Sequence, residues 1–291
     1  MLLLVCRLLA CIPLRIAHAI GRILGRLVYA LPGRFRDRLR ANAAQAGYRD
    51  PAFCWRAAGE TGAMIAELPH VWFRHEETMA KVIMDEDALS SLVEPVRVQA
   101  RGILFLSPHL GCFEAMARRV AIAAPLTVMF RPPRKSYLEP LMLEARNTSG
   151  LLAVPANPKG VKQLLRVLKA KGMVGVLPDQ VPKEGNGVWA PFFGRLAYTV
   201  TLPGKLASHT GAAVIGMACE RLPKGQGWRT HYARVPEPLP ESPEQQAALF
   251  NQVMESLIRQ FPEQYLWSYH RYKEPRHAPT PSALSRTLSN E

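Results

Sequence analysis

The chain has 291 residues, 48% hydrophobic and 21% charged, which allows one large core and excludes disorder for most of its length. Its formal net charge of +14 points to nucleic acid, an anionic membrane surface or acidic molecules as partners. No zinc-finger spacing, aromatic RNA-binding strand or basic helix-turn-helix accompanies that charge, which argues against nucleic acid. Five scattered cysteines (Cys6, Cys11, Cys54, Cys112 and Cys219) show neither metal-site nor disulfide spacing and suit a reducing compartment.

Residues 1–30 are strongly apolar, yet no uninterrupted apolar run reaches the roughly 18 residues of a membrane span. No small-residue cleavage site follows a single apolar block, so the segment does not read as a signal peptide. On a helical projection Arg7, Arg15, His18, Arg22 and Arg26 fall within an arc of about 100°, with leucine, isoleucine, valine and alanine filling most of the rest. The pattern predicts an amphipathic helix lying in a membrane interface, its arginines snorkelling towards phosphates. A tilted span and a helix packed on the protein's own core are the alternatives, and Pro13 bends or divides the helix in each. Arg34, Arg36, Arg38 and Arg40 extend the basic surface towards anionic head groups.

Residues 50–94 read as helices. From Gly102 the chain alternates, with strands expected at Ile103–Leu106, Leu126–Phe130, Leu151–Val154, Met173–Leu177, Ala213–Cys219 and Trp228–Val235. Helices are expected at Cys112–Ile122, Leu138–Arg146, Val161–Ala170, Leu202–Thr210 and Pro243–Gln260. This alternation predicts an α/β layered fold around a largely parallel sheet, occupying residues 31–274 after the N-terminal helix. Residues 275–291 are polar and read as a disordered tail. The glycine pieces GNG and GQG are too short for a nucleotide loop, and no cofactor is implied.

The most informative stretch is GILFLSPHLGCFEAM, residues 102–116, which places His109 five residues before Glu114. On one continuous helix an i,i+5 pair points roughly 140° apart and cannot cooperate. With His109 in the turn after a strand and Glu114 in the first turn of a helix, the carboxylate can fold back onto the imidazole. A carboxylate there fixes the tautomer and stabilises the protonated ring, leaving the other nitrogen a competent base. The helix N-terminus offers N–H groups to a developing negative charge. No second ligand lies at metal-site spacing, and Cys112 reads as a small buried residue.

Further along, FRPPRKS sets Arg131, Arg134 and Lys135 at the C-terminal end of a strand, where sites in open α/β sheets gather. These groups suit phosphate oxygens; a solvated basic loop is the alternative. VLPDQ places Asp179 after another strand, either at a substrate site, as a loop cap, or paired with an arginine. PFFG, with Phe193 and Gly194 near Trp189, reads as an aromatic turn that lines a groove or belongs to the core.

Four segments in this order, SPHLGCFEAM, FRPPRKSYLEPLM, VLPDQVPKEGNGVWAPFFGRLAYT and PEQYLWSYHRYK, resemble the lipid A biosynthesis acyltransferases (lauroyl and myristoyl acyltransferases) within the wider H-x4-D/E group. Glu114 stands where Asp is commoner. The resemblance implies that residues 31–274 form an acyltransferase domain in which His109 is the general base and Glu114 orients it. Fatty-acyl transfer would then run from acyl carrier protein to a hydroxyl of an anionic lipid A precursor, at the cytoplasmic face of the inner membrane. It further implies an acceptor site around Asp179. An acyl-CoA donor, another membrane-lipid acceptor, or a non-catalytic basic membrane-surface protein are the competing readings.

Overall fold

A strand covered on both faces is apolar at every position, and Ile103–Leu106 (β2) is buried at all four. The structure, a computed structural model, describes residues 2–130 and 149–290. β2 lies between Met173–Val176 (β5) and Ala213–Arg221 (β8), parallel to both. Leu126–Phe130 (β3) pairs parallel with β5 on one side and with Leu151–Pro155 (β4) on the other. Beyond β8 the sheet turns mixed: Trp228–Arg234 (β9) is antiparallel to β8, and Val82–Ile83 (β1) runs along β9. The expectation of a largely parallel α/β sheet therefore holds, with an antiparallel edge.

One face of the sheet carries Ile103, Phe105 and Met217 beneath helix α7 (Phe113–Ala123), and the other carries Leu104, Leu106 and Val174 beneath α8 (Pro158–Lys169), α9 (Leu202–Thr210) and α10 (Pro243–Gln260). Local chemistry starts these helices. Asn157 accepts from Gly160 N–H ahead of α8, and Ser242 accepts from Gln245 N–H ahead of α10, each followed by a proline at the first helical position. The helix expected at Leu138–Arg146 lies outside the described residues.

Two elements depart from the sequence reading. Gly187–Phe192 (β6) and Arg195–Val200 (β7) form a separate two-stranded hairpin turned by Phe193 and Gly194, both at positive φ (48° and 72°). Pro191 within β6 is the kind of residue that argues against a strand, and here, among the described residues, the ladder has only one partner strand. The tail read as disordered carries a helix, α11 (Ala283–Asn290), capped by the Ser282 hydroxyl. Its Leu288 packs against a cluster of Ala190, Ala247 and Ala248, and Trp189 Nε1 donates to Pro279 O at 2.5 Å, so the hairpin and α10 supply the partners the tail lacks by itself.

The N-terminal segment forms α1 (Leu2–Ala10) and α2 (Leu14–Ala30), bent by 117° across the break at Pro13. No single helix among the described residues is long and apolar enough to cross a membrane, although this bent pair passes by length and composition. α2 packs on α4 (Pro51–Phe73) through glycines: a Cβ on Gly62 would stand 1.9 Å from Gly21 O, and one on Gly25 would stand 2.2 Å from Ala58 O. The basic arc was expected to face lipid, but its central members turn inward. His18 is fully buried with Nε2 2.9 Å from Glu67 Oε2, and Arg22 Nε donates to Glu60 Oε1 at 2.6 Å. Ile16, Ile20, Ile23, Leu24, Leu27 and Val28 are exposed instead. The reason lies on α4, whose two glutamates bind these side chains.

Arg221, at the end of β8, completes the cluster. It grips Glu67 with Nε (2.7 Å) and Nη2, and reaches Glu60 with Nη1 at 2.9 Å. Trp228 Nε1 adds a hydrogen bond to Glu67 at 3.0 Å. Burial opposes ionisation of Glu67, yet Arg221 and His18 overcome it and hold its pKa at about 2 against an ordinary 4.5. A carboxylate with a depressed folded-state pKa stabilises the protein fully above its unfolded value, and loses that contribution as pH falls towards the folded value. Denaturant titrations of Glu67→Gln are therefore expected to show a loss of about 3–5 kcal/mol at neutral pH, typical of breaking a buried pair. The deficit relative to the native chain should shrink as pH falls from about 4.5 towards 2. A variant as stable as the native chain at pH 7 would contradict this account of the cluster.

Candidate active site

β2 and β5 are adjacent, but the connections leaving them run over opposite faces of the sheet, α7 after β2 on one and α9 after β5 on the other. Such a divergence opens a crevice at the C-terminal strand ends. His109 follows β2 and Asp179 follows β5, so the sheet itself brings them together. His109 Nδ1 lies 2.6 Å from Asp179 Oδ1, and His109 N–H donates to Asp179 Oδ2 at 2.8 Å. The carboxylate on the ring is thus that of Asp179, whereas the local spacing pointed to Glu114.

Asp179 is 2% exposed. Burial disfavours its charge, but the His109 ring and backbone N–H outweigh that and hold its carboxyl below the usual range. With a carboxylate as acceptor, Nδ1 carries the proton and Nε2 presents its lone pair. Gln180 Nε2 lies 3.2 Å from that lone pair, and Phe113 meets the ring edge-on at 5.1 Å.

The turn holding His109 is tied to the surrounding chain through its backbone. His109 O accepts from Leu266 N–H (3.1 Å), Gly111 N–H donates to Gln264 O (3.1 Å), and Cys112 N–H donates to Cys219 O (2.8 Å). Arg221 Nη2 reaches Gly111 O at 3.4 Å. Gly111 sits at φ +57°, and a Cβ there would stand 1.9 Å from Cys219 O, so both conformation and space demand glycine. Gln264 and Leu266 supply the first two of these contacts, and the neighbouring Tyr265 and Trp267 are themselves core, their rings edge-on or tilted against Phe53, Phe192 and Phe193.

His109 faces a cavity of about 1170 Å³, larger than the roughly 300–1,000 Å³ of ordinary single-ligand pockets. Towards the sheet its wall is apolar, from Phe105, Met116, Leu126, Val128 and Met217. Elsewhere it carries Lys162, Lys183 and Lys205, all exposed, and among the described lining residues Glu114 is the sole carboxylate. Glu114 is buried on the α7 side of this cavity.

Arg131, Arg134 and Lys135 lie outside the described residues. Phe193 and Gly194 do not line the cavity; Phe193 is buried, its N–H donating to Glu255 and its carbonyl accepting from Gln45. Cys112 is buried, which pushes its thiol pKa well up and makes it a poor nucleophile. Arg271, within the last aromatic segment, is buried, with Nη1 donating to Tyr198 O and Nη2 to Thr199 Oγ1. The residue that local spacing did not assign to the ring, Asp179, stands 70 positions along the chain. Its only signal was an acid just beyond an apolar strand.

The family model of bacterial lipid A biosynthesis acyltransferases matches residues 1–274, and the chain belongs to that family. It is 26% identical over 214 residues to the lipid A biosynthesis palmitoleoyltransferase of Escherichia coli K12, covering 73% of this chain and 68% of that one. It is 28% identical over 215 residues to the lauroyltransferase of the same organism, covering 73% and 69%. A lipid A biosynthesis acyltransferase of Haemophilus influenzae is 29% identical over 181 residues, covering 60% and 55%.

Asp179 offers two acceptors to two His109 donors, and an asparagine offers one. In Asp179→Asn the immobile backbone N–H keeps the oxygen, so the amide nitrogen faces Nδ1 and drives the ring proton to Nε2. ¹⁵N spectra of the His109 imidazole are expected to show Nδ1-protonated ring in the native chain and the opposite tautomer in Asp179→Asn. Identical spectra would refute the assignment.

Proposed function

We propose that this acyltransferase moves a fatty acyl chain from acyl carrier protein to a hydroxyl of an anionic lipid A precursor, at the cytoplasmic face of the inner membrane. The observation that carries the reading is the cavity: His109 stands between an apolar wall and a rim of lysines. An acyl chain suits the first, and a phosphorylated substrate the second. Arg131, Arg134 and Lys135 keep their place in the proposal as further phosphate ligands.

In the proposed reaction the acceptor hydroxyl displaces Gln180 from His109 Nε2 and gives up its proton there as its oxygen attacks the thioester carbonyl. Asp179 holds the ring tautomer and stabilises the imidazolium that forms. Glu114, on the α7 side of the cavity, assists in stabilising the imidazolium. The N-terminal turn of α7 faces the tetrahedral oxyanion with the positive end of its dipole. As the intermediate collapses the C–S bond breaks, and the imidazolium proton passes to the departing thiolate. The products are an ester and a free thiol. General-base catalysis of this type contributes about 10²–10⁴-fold.

The exposed apolar faces of α1 and α2 support membrane association. Leu4, Leu8, Ile16, Ile20, Leu24 and Leu27 form part of an outward apolar surface of the kind that marks interaction sites on soluble folds. In this proposal that surface enters the acyl layer and the inward arginines serve the ion cluster.

Transfer of radiolabelled acyl chain from acyl carrier protein to tetra-acylated lipid A precursor tests the reaction. Product from the native chain, falling about 10²–10⁴-fold in His109→Ala, is the expected result. Product from acyl-CoA but not from the carrier protein would replace the donor, and no product with this acceptor would refute the proposed substrate. Membrane flotation of Ile20→Glu/Leu24→Glu/Leu27→Glu tests the anchor. Loss from the vesicle fraction is expected, and unchanged flotation of the folded variant would contradict it.

A further inference from the structure

The apolar side of the cavity has a gap that a missing side chain leaves. β2, β5 and β3 run side by side, and Phe105, Gly175 and Val128 are register partners at one level across them. All three line the cavity. Glycine inside a buried strand weakens it, with no side chain to pack and more backbone entropy to lose, so it marks a place where something else comes close. For most buried glycines here that something is main chain. A Cβ on Gly102 would stand 2.5 Å from Leu168 O, and one on Gly160 would stand 2.0 Å from Pro155 O.

Gly175 is different. It is not among the glycines held at positive φ, and a Cβ built on it would meet only side chains, Val128 Cγ1 at 3.2 Å and Leu126 Cδ1 at 3.9 Å. Neither backbone conformation nor backbone contact asks for glycine. What remains is a furrow along the sheet, walled by Phe105 and Val128 and open to the cavity. Ala117 on α7 lines the same cavity with another small side chain. Two residues back along β3, Leu126 and its β4 partner Leu151 line the cavity as well, while Met173 beside Leu126 belongs to the buried core and does not.

We propose that the furrow over Gly175 is the channel for the acyl chain, and that Gly175 and Ala117 determine how long a chain the enzyme accepts. The terminal methyl is seated against Leu126 and Leu151. The inference rests on the acyl-transfer reading of the same cavity and adds the residues that select the chain. Methyl groups added at either position shorten the channel, and the preference moves to shorter chains. Because one methylene in a fitted pocket is worth about 10-fold or more in discrimination, the effect is large enough to read.

The test uses the full chain and the variants Gly175→Ala and Ala117→Leu, which encroach from opposite walls. Thermal melts establish that each folds; if Gly175→Ala does not, Ala117→Leu carries the test alone. The ratio of palmitoyl to decanoyl transfer, from acyl carrier protein to lipid A precursor, is expected to fall about 10-fold or more in either variant. Calorimetric binding of free decanoic, lauric, myristic and palmitic acids gives a second readout that needs no transfer. There the longest chains should lose affinity selectively. Should the native chain transfer nothing while the binding series still shortens, the acyl-transfer reading falls and the channel stands. Unchanged chain preference in a folded variant, in both transfer and binding, overturns the channel.

Discussion

A buried carboxylate is tolerated only where donors surround it, and the site depends on how Asp179 meets that demand. Its two oxygens take the ring and the backbone N–H of one residue, His109, across the ends of two neighbouring strands. That double contact fixes ring tautomer, ring orientation and turn position together. The cost of burying Asp179 is offset by the group it orients, so the pair is formed by the fold rather than by substrate. His109 therefore presents Nε2 to the cavity before anything binds, the preorganisation that electrostatic catalysis requires.

The same turn ties the site to the N-terminal helices. Arg221 reaches Gly111 O while its other donors hold Glu60 and Glu67 on α4, and those glutamates in turn hold Arg22 and His18 on α2. His18 and Arg22 of α2 are spent inward on this cluster, and glycines let the helix sit close on α4. Its large apolar side chains are left outward. An apolar exterior and a charged interior reverse the usual arrangement of a soluble protein, and suit a surface that meets lipid.

Legibility of the sequence followed the range of the interactions. β2, β3 and α10 appear at their expected limits because buried parallel strands and capped amphipathic helices carry local signatures. His109 was legible for the same reason, as a histidine in a strand-to-helix turn. Its partner was not, because Asp179 becomes a neighbour only through the β2–β5 pairing, and nothing local to residues 102–116 reports that. Glu114 looked the better candidate since it was near in sequence; the structure puts it on the cavity wall and gives the ring to Asp179. The basic arc of α2 is legible in the sequence; that His18 and Arg22 within it point inward is not, because Glu60 and Glu67 lie on another helix. Phe193 is a further case: the sequence shows an aromatic turn that lines a groove or belongs to the core, and only the packing against Trp267 decides for the core.

The central claim is that Asp179, acting through His109, supports the chemical step. Single-turnover acyl transfer in Asp179→Asn, set beside Glu114→Gln and the native chain, tests it most directly. The account predicts a fall of about 10²–10⁴-fold in the rate of Asp179→Asn with substrate affinity unchanged. A rate for folded Asp179→Asn close to that of the native chain, with the loss confined to Glu114→Gln, would contradict it and return the orienting role to the nearer carboxylate.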